Sequence, residues 1–152
     1  MTGATPRVLV LGGTAEARAV AGRLHPDVAV ISSLAGRVPD PALPVGEVRI
    51  GGFGGATGLA DWLRDNRIDA VIDATHPFAA RITANAAQAA AVVGLPHVVL
   101  ARPAWPPGAA HRVQSDREAA ALVARRGYQR VFLTTGRSGT AAFCDVDAWF
   151  LI

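Results

Sequence analysis

The residues best suited to chemistry are glycines that stand directly after short apolar runs. The first run, Arg7–Leu11, leads into Gly12, Gly13 and Thr14. Where a parallel strand turns into a helix, glycines let backbone N–H groups approach a phosphate, and the helix N-terminus favours negative charge. The motif lacks the full G-x-G-x-x-G pattern. It therefore predicts a nucleotide-binding turn, with an ordinary tight turn as the alternative.

The second apolar run ends in Ser-Ser-Leu-Ala-Gly-Arg, residues 32–37, with no carboxylate. A unit that binds NAD usually carries an acidic residue there, which holds the ribose 2′-hydroxyl. Ser33, Gly36 and Arg37 instead offer a hydroxyl, a turn and a guanidinium, which suit a 2′-phosphate. The pattern favours NADPH over NADH, unless Arg37 is a solvated loop residue.

A glycine cluster, Gly-Gly-Phe-Gly-Gly at 51–55, follows the third run. Four glycines in five residues permit backbone conformations closed to other residues and leave space for a bulky ligand. A purely structural turn needs one or two. We therefore expect close approach of a ligand here and include Gly54 among the candidate cofactor-binding residues.

Polar residues follow the fourth run, in Asp-Ala-Thr-His-Pro-Phe-Ala at 73–79. Asp73 or Thr75 is expected to cap the next helix. His76 is placed to face a nicotinamide or to donate a proton, although a lone histidine is more often incidental. No Cys, His or Asp cluster at ligand spacing accompanies it, so the sequence predicts no metal site.

The elements that position these residues alternate between strand and helix. Strands are predicted at 7–11, 28–31, 47–50, 70–72, 97–101 and 130–134, and helices at 14–24, 56–66, 77–93 and 115–126. Pro77 fits a first helical turn and Gly94 a C-cap. Continuous apolar strands in this alternation predict an α/β fold, a Rossmann-like doubly wound parallel sheet. Its ligands would lie at the carboxyl ends of the strands.

Two domains are predicted, a cofactor-binding domain over 1–103 and, over 104–152, a linker with the beginning of a second, incomplete α/β domain. The sequence ends in five apolar residues, 148–152. An apolar strand needs a partner on at least one side, so we expect the complete protein to continue. The alternative is an edge strand that closes the sheet or a dimer.

Composition excludes several classes of protein. Of 152 residues 51% are hydrophobic and 18% charged, which indicates a folded core. One cysteine excludes an internal disulfide and fits a reducing cytoplasm. Apolar stretches are too short to cross a membrane. All 15 basic residues are arginines, spread along the chain, which suits small anionic ligands better than nucleic acid. Arg81 and Asn85, one helical turn apart, suit a carboxylate or a solvated surface.

Four motifs together resemble the precorrin-6A reductase family. They are Gly-Gly-Thr-x-Glu-Ala-Arg at 12–18, Ser-Leu-Ala-Gly-Arg at 33–37, the glycine cluster at 51–55 and the segment 73–79. The resemblance runs from about residue 8 to residue 137, where Thr-Thr-Gly-Arg resembles the start of the family's second domain. Family chains are longer, with two α/β domains facing a cleft, so most of the second half is missing here.

The resemblance implies NADPH-dependent reduction of a carbon–carbon double bond of precorrin-6A in cobalamin biosynthesis. The same resemblance implies that the pyrophosphate is contacted by Gly12, Gly13 and Thr14. It implies that the 2′-phosphate is contacted by Ser33 and Arg37, and that the nicotinamide is contacted by Thr75 and His76. The proton comes from Glu16, His76 or solvent. Arginines, among them Arg81 and Arg137, face the carboxylates of the tetrapyrrole. Three alternatives stay open: a non-catalytic NADPH-binding module, a structural or partner-binding domain, and a related reductase that uses NADH and a cobalt-containing substrate.

Overall fold

The computed structural model describes residues 5–36, 42–103, 108, 110–136 and 139–152. The chain divides into two compact units, Met1–Ala104 and Trp105–Ile152. The assignment of a cofactor-binding domain to 1–103 and of an incomplete second domain to 104–152 stays a prediction. None of the helices in these ranges is long and apolar enough to cross a membrane.

The first unit is a parallel sheet with helices on both faces, which confirms the predicted fold class. The sheet order is β3-β2-β1-β4-β5, and every pairing is parallel. In chain order the elements are β1 Arg7–Leu11, α1 Ala15–Leu24, β2 Ala29–Leu34, β3 Glu47–Ile50, α2 Gly55–Asp65, β4 Ala70–Asp73, α3 Ala80–Val93 and β5 His97–Val99.

Alternate residues of the central strands point to two separate apolar layers. Leu9 and Leu11 of β1 pack with Leu59 and Leu63 of α2 on one face. On the other face, Val8 and Val10 of β1 pack with Ala17 and Ala21 of α1. Because both faces are covered, the strands are apolar at nearly every position.

Four of the predicted element boundaries are wrong by two residues or more. The strands predicted at 97–101 and 130–134 end two residues early, at Val99 and Phe132, and the other two differences lie closer to the site. Helix α3 begins at Ala80, not at Pro77, because the Ala79 N–H first closes a turn on the His76 carbonyl oxygen (2.8 Å). Neither Asp73 nor Thr75 caps α3, which has no side-chain cap among the described residues. Strand β2 also extends three residues beyond its predicted end, since β1 pairs with it as far as Ser33 and β3 as far as Leu34. Gly94 ends α3 in the left-handed conformation, as predicted.

The second unit is smaller. It contains α4 Asp116–Arg126, β6 Arg130–Phe132, a short 3-10 helix Thr140–Phe143 and β7 Trp149–Leu151, with β7 parallel to β6. The Ser115 hydroxyl accepts a hydrogen bond from the Glu118 N–H (3.2 Å) and caps α4. Ala120, Leu133 and Phe143 form its buried centre.

Candidate functional site

The candidate site lies at the carboxyl edge of the five-stranded sheet. From β1 the chain first adds β2 and β3 on one side and then crosses to add β4 and β5 on the other. The loops after β1 and β4 therefore leave the sheet in opposite directions, which opens a crevice between them. In open parallel sheets such a switch point is where ligands bind.

The loop after β1 presents backbone to this crevice. Gly12 donates its N–H to the Ser33 carbonyl oxygen (2.9 Å) and so continues the sheet. Gly13 is exposed with φ +101°, and a Cβ there would meet no described atom within 4 Å. The space above Gly13, at the N-terminus of α1, is open to an anion. Of the two glycines, Gly12 serves the sheet and Gly13 faces the open side.

Thr14 ties the loops after β1 and β4 together. Its hydroxyl accepts a hydrogen bond from the Ala17 N–H (3.1 Å), which caps α1, and donates one to the Ala74 carbonyl oxygen (2.7 Å). Thr14 and Ala74 are both buried. Because the hydroxyl proton is already used, the group that Thr14 can offer a pyrophosphate is its backbone N–H. The bond to Ala74 fixes the width of the crevice.

Asp73, the last residue of β4, is 1% exposed and organises the loop that follows. Its Oδ1 accepts two hydrogen bonds from Thr75, one from the backbone N–H (3.0 Å) and one from the hydroxyl (2.7 Å). Its Oδ2 is buried and has no hydrogen-bond partner among the described residues. Thr75 itself is partly exposed at the crevice.

His76 and Phe78 form an exposed pair at the same loop. The His76 Nδ1 accepts a hydrogen bond from the Phe78 N–H (3.2 Å), and the two rings pack edge to face with centroids 4.9 Å apart. With Nδ1 as acceptor, the neutral imidazole carries its proton on Nε2. Phe78 is 90% exposed, so it offers an aromatic surface beside a hydrogen-bond donor.

Arg49 occupies the other end of the edge, where β2 and β3 finish. Its guanidinium donates to the Ser33 hydroxyl (2.9 Å) and to the carbonyl oxygens of the first two glycines after β3 (2.9 and 3.1 Å). It also stacks on Phe53 at 3.8 Å and lies 5.5 Å from the Trp62 ring. Burial lowers the pKa of Arg49, but a guanidinium stays charged in proteins. A fixed cation therefore stands beside Ser33.

Glu16 lies in the first turn of α1 and pairs with Arg102 (2.8 Å). A hydrogen bond from its own backbone N–H, followed by the contacts with Arg102, lowers the pKa of Glu16. Its carboxyl group is therefore ionised near neutral pH and is a poor proton donor. Arg102 neutralises the one acidic side chain in that first turn.

The remaining candidates fall into two groups. Gly36 is exposed two residues after the end of β2, Gly54 precedes α2 in the left-handed conformation, and Arg81 is exposed in the first turn of α3. These three lie at the carboxyl edge with the others. Arg37 and Arg137 lie outside the described residues. Within the described ranges, no three His, Cys, Asp or Glu side chains are grouped so as to hold a metal ion.

Sequence reasoning missed Arg49 and Arg102, and it misassigned Asp73. The contact of Arg49 with Ser33 depends on the pairing of β2 with β3, since the two residues are 16 positions apart. No local pattern links Arg102 to Glu16, because their bond spans 86 positions. The contacts of Asp73 with Thr75 were within reach of sequence reasoning, since an aspartate readily bonds the backbone two residues on.

The five-stranded parallel sheet and the residues at its carboxyl edge define a doubly wound α/β protein with its candidate site at a topological switch point. The family model described as "Precorrin-6x reductase CbiJ/CobK" matches residues 7–152. The chain belongs to this precorrin-6x reductase family.

Relatives in the family support this assignment. The chain is 68% identical over 146 residues to the precorrin-6A reductase of Mycobacterium tuberculosis, and the match covers 96% of this chain and 60% of the relative. It is 57% identical to that of Rhodococcus erythropolis, covering 96% and 61%. A solved structure, "CobK precorrin-6A reductase", superposes with a TM-score of 0.81 at 39% identity, covering 91% of this chain and 57% of that one. The chain thus spans about 60% of the length of these relatives.

Proposed function

We propose that the protein reduces a carbon–carbon double bond of precorrin-6A to give precorrin-6B, with NADPH as cofactor, in cobalamin biosynthesis. The observation that carries the proposal is the switch-point crevice between Gly13 and Thr75, in a chain of the precorrin-6x reductase family. The chain spans about 60% of its relatives' length, so activity of the whole protein is part of the proposal. A cytoplasmic location is a further part of it.

The residues of the edge fit a dinucleotide phosphate. The open space above Gly13 and the N-terminus of α1 accept the pyrophosphate through backbone N–H groups. Arg102 supports this by neutralising Glu16, whose charge would otherwise repel an anion at the same turn. At the other end, Ser33 and Arg37 are proposed to hold the 2′-phosphate. Arg49 adds a fixed positive charge beside Ser33.

NADPH supplies the hydride when it is bound. The protein's part is to hold the nicotinamide at the loop after β4, which carries Thr75 and His76, and to provide a proton at the neighbouring carbon. His76 is the better of the two protein candidates, since its Nε2 is free to donate, whereas the lowered pKa of Glu16 keeps that carboxylate ionised. Solvent stays the third source. Correct placement of the two reactants alone can contribute roughly 7–11 kcal/mol.

The substrate proposal uses charge and shape. Precorrin-6A is a large tetrapyrrole that bears many carboxylates, and exposed arginines suit them. Arg81 stands in the first turn of α3, at the carboxyl edge, and Arg137 is the second candidate. The exposed ring of Phe78, three residues before Arg81, gives the macrocycle an apolar surface.

The cofactor half of the proposal is tested by titrating the chain with NADPH and with NADH. In Arg37→Ala, loss of a charge-assisted phosphate contact weakens NADPH binding by about 1.5–3 kcal/mol and leaves NADH nearly unchanged. Arg23→Ala, at the far end of α1, is the matched control and leaves both affinities unchanged. Equal loss for both nucleotides would show that Arg37 does not read the 2′-phosphate. Absence of binding by either would remove the cofactor proposal.

The catalytic half is tested by anaerobic turnover. NADPH consumption is followed with precorrin-6A and, separately, with cobalt-precorrin-6A. Faster reduction of the cobalt-free substrate is expected, because the relatives at 68% and 57% identity are named precorrin-6A reductases. Cofactor binding without turnover of either substrate would favour the non-catalytic NADPH-binding module.

A further inference from the structure

Two partly buried hydroxyl contacts give the two ends of the carboxyl edge opposite hydrogen-bonding character. At the loop after β4, the Thr75 hydroxyl donates its proton to the Asp73 Oδ1 (2.7 Å). At the end of β2, the Ser33 hydroxyl accepts a hydrogen bond from Arg49 (2.9 Å) and keeps its own proton. The two side chains have the same functional group, but their partners fix opposite polarities.

The assignment of donor and acceptor at Thr75 follows from the geometry of Asp73. The Asp73 Oδ1 already accepts the Thr75 backbone N–H at 3.0 Å. An oxygen that accepts an N–H and faces a hydroxyl at 2.7 Å is an acceptor toward both, so the Thr75 proton points back at the carboxylate. The lone pairs of the partly exposed Thr75 oxygen are left for a ligand. That oxygen can accept a hydrogen bond from a ligand and has no proton to give.

The groups of NADPH that can donate to such an oxygen are the nicotinamide carboxamide, the adenine amino group and the ribose hydroxyls. Phosphates and carboxylates are acceptors and would meet lone pairs. The carboxamide of the nicotinamide carries two N–H donors, and the loop after β4 is where the proposed function places this ring. The donors needed by the 2′-phosphate stand at the opposite end of the edge, at Ser33 and Arg49.

Resting on the proposed function, we propose that Asp73 is a positioning residue that makes Thr75 a hydrogen-bond acceptor, and that Thr75 binds the amino group of the nicotinamide carboxamide. Thr75 is thereby the residue that distinguishes a carboxamide from an isosteric ketone. Asp73 acts only through Thr75, since its own oxygens are buried.

The test compares three ligands whose differences isolate this contact. They are NADPH, its reduced 3-acetylpyridine analogue, in which a methyl group replaces the amino group, and 2′-phospho-ADP-ribose, which lacks the nicotinamide ring. The wild-type chain is expected to bind NADPH about 5- to 10-fold more tightly than the analogue, the value of one hydrogen bond. Thr75→Val binds the two equally, and Thr75→Ser keeps the preference.

Asp73→Ala separates the positioning role from simple support. With the carboxylate gone, the Thr75 hydroxyl is free to rotate and to donate to the ketone, so the preference for NADPH disappears although Thr75 is present. The affinity for 2′-phospho-ADP-ribose stays unchanged in every variant. An equal loss for all three ligands in Asp73→Ala would overturn the positioning role. If Asp73→Ala does not fold, the Thr75 pair of variants still decides the carboxamide contact.

The outcomes distinguish this inference from the proposed function. If the wild type binds 2′-phospho-ADP-ribose and NADPH but shows no preference over the analogue, the inference is overturned and the cofactor assignment stands. A preference that persists in Thr75→Val overturns the inference in the same way. If the wild type binds none of the three ligands, the proposed function fails and the inference fails with it.

Discussion

Thr14→Val removes the hydroxyl that joins the first and fourth strand loops. Valine has nearly the shape of threonine, so the substitution leaves packing in place and deletes two hydrogen bonds. One is the cap to the Ala17 N–H and the other is the bond to the Ala74 carbonyl oxygen. We expect a large loss in the free energy of unfolding from one buried atom.

The magnitude follows from the two partners. Loss of an N-cap side chain costs about 1 kcal/mol, within a range of roughly 0.5–2. The Ala74 carbonyl is left without its bond at a residue that is 2% exposed, and an unsatisfied buried acceptor costs about 1–3 kcal/mol. Together the two effects predict a loss of about 2–4 kcal/mol.

The assay is urea unfolding followed by far-ultraviolet circular dichroism. Thr14→Ser keeps the oxygen and is expected to stay within about 1 kcal/mol of the wild type. Thr57→Val is the matched control, because Thr57 is exposed on α2, and it is expected to change stability by less than about 0.5 kcal/mol. A loss below about 1 kcal/mol in Thr14→Val, or an equal loss in the control, would refute the reasoning.

Two further predictions concern Gly58 in α2 and the ion pair between Glu16 and Arg102. In Gly58→Ala the new Cβ collides with the Phe53 carbonyl oxygen, so the free energy of unfolding is expected to fall by about 1–3 kcal/mol. Gly52→Ala is the control and is expected to be neutral, because the space around Gly52 is open. Equal melting temperatures for the two variants would contradict this prediction. The lowered pKa of Glu16 means that its contribution to stability is present above the ordinary pKa and is lost as the pH falls through the lowered value. Arg102→Gln is expected to raise the pKa of Glu16 only in part, because the hydrogen bond from the backbone N–H is the larger cause of its lowering. The pKa is followed by NMR titration of the carboxyl group. No change at all would show that the ion pair does not form in solution.

Sequence reasoning reached the fold because the signals of a parallel sheet are local. Continuous apolar strands and the C-cap at Gly94 each depend on a few neighbouring residues. The start of α3 was missed because Pro77 is compatible with both a helical turn and the turn that the structure contains. Local patterns do not report which turn the preceding strand requires.

The candidate site was predicted as a set of loops and not as a set of contacts. That the glycine turn and the segment after β4 share one edge follows from parallel strands alone. The roles of Arg49 and Arg102 depend on partners brought together by strand order, which no short pattern encodes. The direction of the hydrogen bond from the Thr75 hydroxyl was not predictable either, because it depends on which oxygen of Asp73 the hydroxyl contacts.

The central position of β1 in the sheet has a consequence for the order in which the protein folds. Thr14 and Ala74, which define the crevice, are 60 positions apart in the chain. Contacts so distant in sequence carry a larger loop-closure entropy and form more slowly than local ones. The β1–α1–β2 segment can assemble from neighbouring residues, whereas the crevice requires β4 to arrive beside β1. During synthesis the capacity to bind a ligand at the switch point is therefore acquired late, after the glycine turn has long left the ribosome.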